Sequence, residues 1–375
     1  MKQNENQQAF LSLLKAGLWE KEVELSQFVD IDFNEIYRLA EEQSVIGIIA
    51  AGLEHVVDVK IPQINFLTFI GRAVQLEQNN AAMNDFIAQL VTELNKDEIY
   101  ALLVKGQGVA QCYERPSWRA AGDVDLLLDD ENFQKAKDIL TPKATNIHEE
   151  NPFDKHYSFE LNGWVVELHG TLRSLLTKRA DDYIDAVQDE AFRKGRKRIW
   201  CHNSVNIPLP NVDDDIIFVF THILKHFFHY GIGIRQVCDW SRLLWTYKDT
   251  VDRKLLESRL QTMGLITEWK VFGSLAVNLL GMPSEAMPFY SKSKSYQRKA
   301  ERALAFIMET GNFGHNRDNS YYDNSNAIVR GIISLLRHTG DSIRHSFIFP
   351  VDSMRIWGRM VKLGIGDFLG SKTSS

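Results

Sequence analysis

The pair Asn162-Gly163 lies between two short runs of alternating apolar and polar residues, and it constrains the fold more than any other feature of the sequence. Alternation with a period of two is typical of a strand that has one buried face. Asn-Gly favours the type I′ turn of a two-residue hairpin, because both turn positions need positive φ. The sequence therefore predicts a β-hairpin formed by residues 156–161 and 164–169.

The predicted hairpin has one apolar face and one polar face. A two-residue loop places His156 opposite His169 and Ser158 opposite Glu167. We expect the apolar face to pack on a core, which leaves the polar face free to line a site. The apolar face comprises Tyr157, Phe159, Leu161, Trp164, Val166 and Leu168.

A second strand, predicted over residues 123–128, carries Asp123 and Asp125 on one side. Two carboxylates about 4 Å apart repel each other by roughly 4 kcal/mol at an effective dielectric constant near 20. A shared proton or a divalent cation would offset this cost, and Mg²⁺ commonly binds one or two carboxylates together with substrate phosphates. Glu167 adds a third acid at the same place if the hairpin lies beside this strand.

Helical spacing of apolar residues dominates the rest of the chain. The sequence predicts a helical N-terminal region over residues 1–96, with Asp32 as a helix N-cap, and a helical C-terminal region over residues 211–375. Between them, residues 97–210 read as a mixed α/β core in which a buried strand ends at Lys105-Gly106. The predicted fold class is therefore α+β.

The composition is that of an ordinary globular protein, with 44% hydrophobic and 25% charged residues. The net charge of −6 does not indicate a nucleic-acid partner. Cys112, Cys201 and Cys238 lie far apart and form no CxxC pair, which favours a reducing compartment. The polar start of the chain and the lack of an uncharged run of 18 apolar residues predict a cytoplasmic protein without a membrane span.

Several short motifs of the chain form one pattern. They are Lys105-Gly106, Tyr113, Pro116, Arg119, residues 123–127, residues 166–169, Thr221-His222, Lys225-His226 and residues 235–239. In these motifs the chain resembles the uncharacterised bacterial branch of the nucleotidyltransferases with a polymerase-beta-like fold. That resemblance implies a core made of a small mixed sheet with helices, embedded between the two helical regions. It also implies metal-dependent transfer of an NMP group from an NTP to an unidentified hydroxyl on a small molecule, a protein or RNA.

The resemblance also implies roles for particular side chains. Glu167 would complete the metal site or act as base for the acceptor hydroxyl. The implied catalytic residues, which would also hold Mg²⁺ or Mn²⁺, are Asp123, Asp125 and Glu167. The implied nucleotide- and phosphate-binding residues are Lys105, Gly106, Gly108 and Arg119. The residues expected to line the site or contact the acceptor are His156, His169 and Arg235.

One departure from the family pattern supports a second hypothesis. The superfamily has adjacent Gly-Gly or Gly-Ser at the turn, whereas this chain has Lys105-Gly106-Gln107-Gly108 and lacks the serine. Phosphate binding must then rely on backbone N–H groups and basic side chains. The alternative is a catalytically inactive module on the same fold that binds a nucleotide or a partner.

Three further patterns have more than one interpretation. His222 and His226 are four residues apart, but the glutamate of a zinc protease is missing, so we interpret them as structural histidines, with closure of the nucleotide cleft as the alternative. Arg235 and Asp239 are predicted to form an ion pair within one helix. The basic segment 193–198 is interpreted as a solvated loop, with contact to RNA or to acceptor phosphates as the alternative.

Overall fold

A four-stranded mixed sheet lies between two sets of helices in the computed structural model, which describes residues 5–150, 155–314, 316 and 327–370. The fold class is α+β, as predicted. Before the sheet come α1 Glu5–Trp19, α2 Phe33–Glu42, α3 Ile46–Glu54 and α4 Gln63–Lys96. The predicted cap is confirmed, because the Asp32 side chain accepts a hydrogen bond from the Asn34 N–H at the start of α2.

The central region contains six strands and three α-helices in the described chain. In order, these elements are β1 Leu102–Val104, α5 Gly106–Ala110, β2 Asp123–Leu127, α6 Asp130–Leu140, β3 His156–Leu161, β4 Trp164–His169, α7 Lys178–Lys194, β5 Lys197–His202 and β6 Val205–Pro210. The helices that follow are α8 Val212–His229, α9 Ile234–Thr246, α10 Arg253–Met263, α11 Ile266–Ser274, α12 Lys294–Thr310, α13 Ala327–Ser346 and α14 Pro350–Gly370.

The sheet has the order β1-β2-β4-β3, so the hairpin inserts beside the strand that carries the two aspartates. β2 and β4 are parallel, and the other neighbours are antiparallel. The predicted hairpin register is confirmed, with Leu161 opposite Trp164 and His156 opposite His169. Because Asp125 lies opposite Glu167 on β4, the sheet itself brings the third acid to the first two.

The apolar face of the sheet is buried as the alternation predicts. Val124, Leu126 and Val166 are at most 1% exposed. This face packs against the second half of α4, against α6 and against β6, within one hydrophobic cluster. Burial of the apolar side chains on one face fixes the strand register, and it thereby fixes the side on which the acids stand.

The prediction of a loop over residues 193–198 is wrong, although Arg193, Lys194 and Lys197 are exposed to solvent, as predicted. α7 ends at Lys194, and β5 and β6 form a second hairpin whose turn residues, Asn203 and Ser204, have φ of 48° and 65°. Arg198 is largely buried, where it pairs with Asp215 and donates to the carbonyl of Pro210 at 2.8 Å. Part of the basic segment therefore makes contacts inside the protein, and its side chains do not form one continuous exposed surface.

Two further observations bear on the sequence predictions. Cys112, Cys201 and Cys238 are free thiols. The helices within the described ranges include none that combines the length and the apolar character needed to cross a membrane.

Two glycines allow α1 and α3 to approach each other closely. A Cβ atom at Gly17 would lie 1.8 Å from the carbonyl oxygen of Ile48, and one at Gly52 would lie 2.1 Å from the carbonyl oxygen of Leu13. Both neighbours are backbone atoms of a helix, so they cannot rotate away as a side chain would. The two helices must separate if either glycine gains a side chain.

Gly52→Ala is therefore expected to lower the free energy of unfolding by about 2–3 kcal/mol, as overpacking of a core does. Gly71→Ala is the matched control, because Gly71 lies inside α4 and a Cβ there meets nothing within 4 Å. Helix propensity predicts that this control gains up to about 1 kcal/mol. Urea unfolding of both variants measures the difference, and equal stability of the two would contradict the close helix contact.

Candidate active site

The turn after β1 holds a lysine in an unusual backbone conformation. Lys105 has φ of 56° and ψ of −142°, and Gly106 follows with φ of 37°. A non-glycine residue in this region of backbone space costs on the order of 1–3 kcal/mol and persists only where the surrounding structure enforces it. The side chain of Lys105 is 15% exposed and reaches the polar face of the sheet.

Three carboxylates meet on that polar face. Asp123 and Asp125 stand on β2, and Glu167 stands on the adjacent strand β4. One oxygen atom of each lies within 4.8 Å of an oxygen of the other two. Asp125 is only 2% exposed. The prediction that Glu167 joins the two aspartates is confirmed by this geometry.

Lys105 supplies the compensating positive charge. Its Nζ atom lies 2.5 Å from Oδ1 of Asp125. Burial opposes the charge of the ammonium, but the carboxylates of Asp125, Glu167 and Asp123 outweigh burial and raise the pKa of Lys105 above its ordinary value. The lysine is therefore charged at neutral pH, although one ammonium cannot balance three carboxylates.

The carboxylates respond to this imbalance in different ways. Repulsion from Asp125, together with burial, raises the pKa of Asp123 to about 6. Burial also opposes the charge of Glu167, but the nearby imidazoles of His156 and His169 and the ammonium of Lys105 hold the pKa of Glu167 well below its usual range. Glu167 is thus ionised at neutral pH, and Asp123 is the group closest to losing its charge.

Two histidines lie directly beside the carboxylates. His169 Nε2 is 2.7 Å from Oδ1 of Asp125 and 3.4 Å from Oε2 of Glu167. His156 Nε2 is 3.1 Å from the same Glu167 oxygen, and the two rings stack with their centroids 5.0 Å apart. Burial lowers the pKa of His169, whereas its contacts with Asp125 and Glu167 raise it, and the net shift is upward.

These groups open into a cavity of about 470 Å³. α8 and α9 also contribute to the lining of this cavity, through residues that include His222, His226 and Arg235. Burial, together with the nearby charge of Lys105, lowers the pKa of His222 well below its ordinary value and that of His226 to about 3. Both imidazoles are therefore neutral at physiological pH, and their place in the cavity wall favours the interpretation as cleft residues over that as core residues.

Arg119 lies in the cavity wall but is bound within the protein. Its Nε and Nη2 donate to Asp239 at 2.9 and 2.8 Å, and its Nη1 donates to the carbonyl of Ala120 at 3.0 Å. The hydroxyl of Tyr113 donates to the same carboxylate at 2.7 Å. Because each guanidinium nitrogen already has a protein partner, Arg119 fastens α9 to the segment before β2.

Of the other predicted phosphate-binding residues, some line the cavity and one does not. Lys105 and Gly106 line the cavity, whereas Gly108 packs against Leu209 on β6 and is absent from the lining. Arg235 also lines the cavity, and its Nε atom has no hydrogen-bond partner among the residues that the structure describes. Its predicted pair with Asp239 is present as a long contact of 3.5 Å.

The carboxylate cluster fits a hard divalent cation. All three side chains offer oxygen atoms, which Mg²⁺ and Mn²⁺ prefer as ligands. The cluster also carries more negative charge than Lys105 can balance, as the raised pKa of Asp123 indicates. Asp123, Asp125 and Glu167 are thus the residues that could hold the metal.

A small mixed sheet with a glycine turn and three clustered carboxylates is the kind of core on which nucleotidyl groups are transferred. A family model described as an uncharacterised nucleotidyltransferase matches residues 29–281. The chain therefore belongs to this family of uncharacterised nucleotidyltransferases, and the resemblance to an uncharacterised nucleotidyltransferase family is confirmed. No curated protein and no solved structure matches the chain.

Several residues of the cavity had no signal in the sequence. Ser44 and Asn312 come from opposite parts of the chain, and Thr171 and Arg173 follow the hairpin in a segment without regular periodicity. The spacing within the helix predicts Arg235 as the partner of Asp239, whereas the shorter contacts of Asp239 are with Arg119, 120 residues away. Such contacts depend on how the helical regions dock on the sheet, which local patterns do not encode.

Replacing Lys105 by methionine is expected to destabilise the metal-free protein by about 3 kcal/mol at pH 8, because the buried Asp125 loses the ammonium that contacts it. The folded pKa of Asp123 lies above its unfolded value, so its ionisation costs stability above about pH 6, and this cost disappears as the pH falls. Lys105→Met should therefore regain stability between pH 8 and pH 5, and also on addition of Mg²⁺.

Thermal unfolding with and without Mg²⁺ measures this effect. Lys155→Met is the control, because Lys155 forms a comparable but exposed ion pair with Asp130. A Lys105→Met protein that is as stable as the control at pH 8, or that does not respond to Mg²⁺, would contradict the charge balance described above.

Proposed function

We propose that this protein transfers an NMP group from a nucleoside triphosphate to a hydroxyl acceptor, with a divalent cation held by Asp123, Asp125 and Glu167. The observation that carries the proposal is the convergence of these three carboxylates, whose oxygens lie within 4.8 Å of one another on one face of the sheet. Membership of the nucleotidyltransferase family supports the same chemistry. The cation, Mg²⁺ or Mn²⁺, would neutralise charge that develops on the phosphates and activate the attacking oxygen.

Binding of the triphosphate falls to the groups that line the cavity and are not saturated by protein contacts. The strained turn places Lys105 and Gly106 at the edge of the carboxylate cluster, where the ammonium can exchange Asp125 for a phosphate oxygen. Arg235 offers a second cationic group from the helical part of the cavity lining. Arg119 acts instead as a positioning residue, since its hold on Asp239 fixes the helix that carries Arg235.

The role of Glu167 follows from its electrostatics. A general base works best when its pKa lies near the operating pH. The pKa of Glu167 is held well below its usual range, so this carboxylate is a poor proton acceptor. We therefore assign Glu167 to the cation rather than to the acceptor hydroxyl.

The acceptor enters the same cavity. Its volume of about 470 Å³ lies in the range of pockets that bind small ligands, about 300–1,000 Å³. The helical part of the cavity lining includes the neutral imidazoles of His222 and His226 and the side chain of Gln236. These groups can hydrogen-bond to an uncharged, hydroxyl-rich group. A small molecule or a side chain of a protein therefore suits the space better than a folded RNA, and the partly buried basic segment at Arg198 points the same way.

A second candidate function is nucleotide binding without turnover. The observation that favours it is the 2.5 Å contact between Lys105 and Asp125, in which an internal cation occupies part of the carboxylate cluster. The missing serine in the turn points in the same direction. The two candidates differ in one measurable respect, which is the release of pyrophosphate.

Equilibrium binding of each of the four nucleoside triphosphates, in forms that resist cleavage between the α- and β-phosphates, tests whether the site takes a nucleotide. We expect Mg²⁺- or Mn²⁺-dependent binding of at least one of them and a loss of 10- to 100-fold in Asp125→Asn or Glu167→Gln. Asp130→Asn is the control, because Asp130 is an exposed acid on the neighbouring helix α6. Absence of binding with all four triphosphates would overturn both candidate functions.

Pyrophosphate release from the cleavable triphosphates then separates the two candidates. Transfer requires release that depends on the divalent cation and on Asp125 when a cell extract supplies the acceptor. Tight cation-dependent binding without release under these conditions would instead establish the binding module.

A further inference from the structure

A second group of metal-ligating side chains lies beside the carboxylates, and it is made mostly of nitrogen donors. His156 Nε2 and His169 Nε2 lie 3.1 and 3.4 Å from the same oxygen of Glu167. The ligand atoms of all three residues lie within 4.8 Å of one another. Glu167 belongs to this group and to the carboxylate cluster, so the two groups adjoin at one side chain.

Rigid backbone sets the positions of these three residues. His156 lies directly opposite His169 in the hairpin, and Glu167 lies two residues before His169 on the same face of β4. The apolar residues between them are buried on the other face, which fixes the register. A site on paired strands is held more closely than one on loops. Both histidines and Glu167 also line the cavity, so a solute can reach them.

The donor set is unsuited to Mg²⁺ and suited to a transition metal. Imidazole nitrogens with one carboxylate oxygen bind Zn²⁺, Fe²⁺ and Co²⁺, whereas Mg²⁺ prefers oxygen alone. In a tetrahedral site with bonds of about 2.1 Å, donor atoms are separated by roughly 3.4 Å. Both histidine-to-glutamate distances, 3.1 and 3.4 Å, are close to that value.

A stacked cross-strand histidine pair without a ligand is the simpler interpretation. Stacking explains the 5.0 Å separation of the ring centroids. It does not explain why both Nε2 atoms lie within 3.4 Å of one oxygen of Glu167, with His169 also 2.7 Å from Oδ1 of Asp125. Nor does it explain why the approach of His156 to the Glu167 oxygen lacks hydrogen-bond geometry. Two nitrogens and one oxygen that lie within 4.8 Å of one another are close enough to bind one cation together.

We propose that His156, Glu167 and His169 form a second cation position, which takes a divalent transition-metal ion adjacent to the all-oxygen position at Asp123 and Asp125. The use of this ion in nucleotidyl transfer rests on the function proposed above. Binding of the ion by the two histidines does not, because it requires neither a nucleotide nor an acceptor. The protein is then expected to need two kinds of cation, a hard one and a softer one.

Cobalt is the probe for this position, because its visible absorption reports nitrogen ligation and low coordination number. We expect the nucleotide-free, full-length protein to bind one equivalent of Co²⁺ with visible bands, and Zn²⁺ to displace it. His156→Phe keeps an aromatic ring for stacking but removes the ligand, and it should weaken Co²⁺ binding at least 10-fold. His169→Ala should abolish the bands, and its thermal midpoint reports whether it is folded.

Two matched variants make the outcome specific. Asp123→Asn removes a carboxylate that belongs only to the oxygen position, and His222→Ala removes a histidine of the same cavity that lies outside the cluster. Both should keep the cobalt spectrum. Co²⁺ binding that is unchanged in His156→Phe, or that is lost in Asp123→Asn and retained in His156→Phe, would overturn the proposal.

Failure of this proposal and failure of the proposed function are distinguishable. Cobalt binding by the histidines in a protein that binds no nucleoside triphosphate would leave the cation position intact and refute nucleotidyl transfer. Nucleotide binding in a protein whose cobalt spectrum does not change in His156→Phe would refute the second cation position and leave the proposed function standing.

Discussion

The contact between Lys105 and Asp125 is the interaction on which the rest of the site depends. It joins the end of β1 to the middle of β2 at 2.5 Å, and it is made by a residue whose backbone is held at positive φ. Without it, Asp125 would lose the ammonium that contacts it, while Asp123 and Glu167 remain within 4.8 Å. Even with this contact, the negative charges of the carboxylates are not fully balanced, and repulsion from Asp125 raises the pKa of Asp123. This deficit of positive charge is one of the observations on which the proposed cation at this site rests.

The helices outside the sheet complete the site rather than merely enclosing it. α8 and α9 form part of the wall of the cavity, and the ion pair of Arg119 with Asp239 holds α9 in place over 120 residues of sequence. Both partners are buried, at 3% and 7% side-chain exposure, so removal of either would leave an uncompensated charge. The polar face of the sheet supplies the proposed metal ligands. The helical wall limits the volume of the cavity and provides the side chains that could hydrogen-bond to a substrate.

Local patterns were sufficient for the parts of the fold that short-range physics determines. The Asn162-Gly163 turn fixed the hairpin register, and alternation assigned Glu167 and both histidines to the polar face. The pairing of β2 with β4 could not be predicted from the sequence. Parallel pairing brings together segments about 40 residues apart, and local patterns do not show which distant segments pair. The β5–β6 hairpin was missed because its turn is Asn203-Ser204, a weaker signal than Asn-Gly, and because its basic residues mask the alternation. The Arg119 pair and the lining of the cavity by His222 arise only when the helical regions dock, and no spacing rule describes that step.

A crystal structure of the full-length protein with Mn²⁺ and a non-hydrolysable nucleoside triphosphate tests most directly whether the carboxylate cluster is a nucleotidyl-transfer centre. The predicted result is an anomalous Mn²⁺ peak bonded to Asp123 and Asp125, with the triphosphate in the cavity and Nζ of Lys105 moved from Asp125 to a phosphate oxygen. Lys105 still in contact with Asp125, with no Mn²⁺ at the cluster and the nucleotide bound elsewhere, would contradict it.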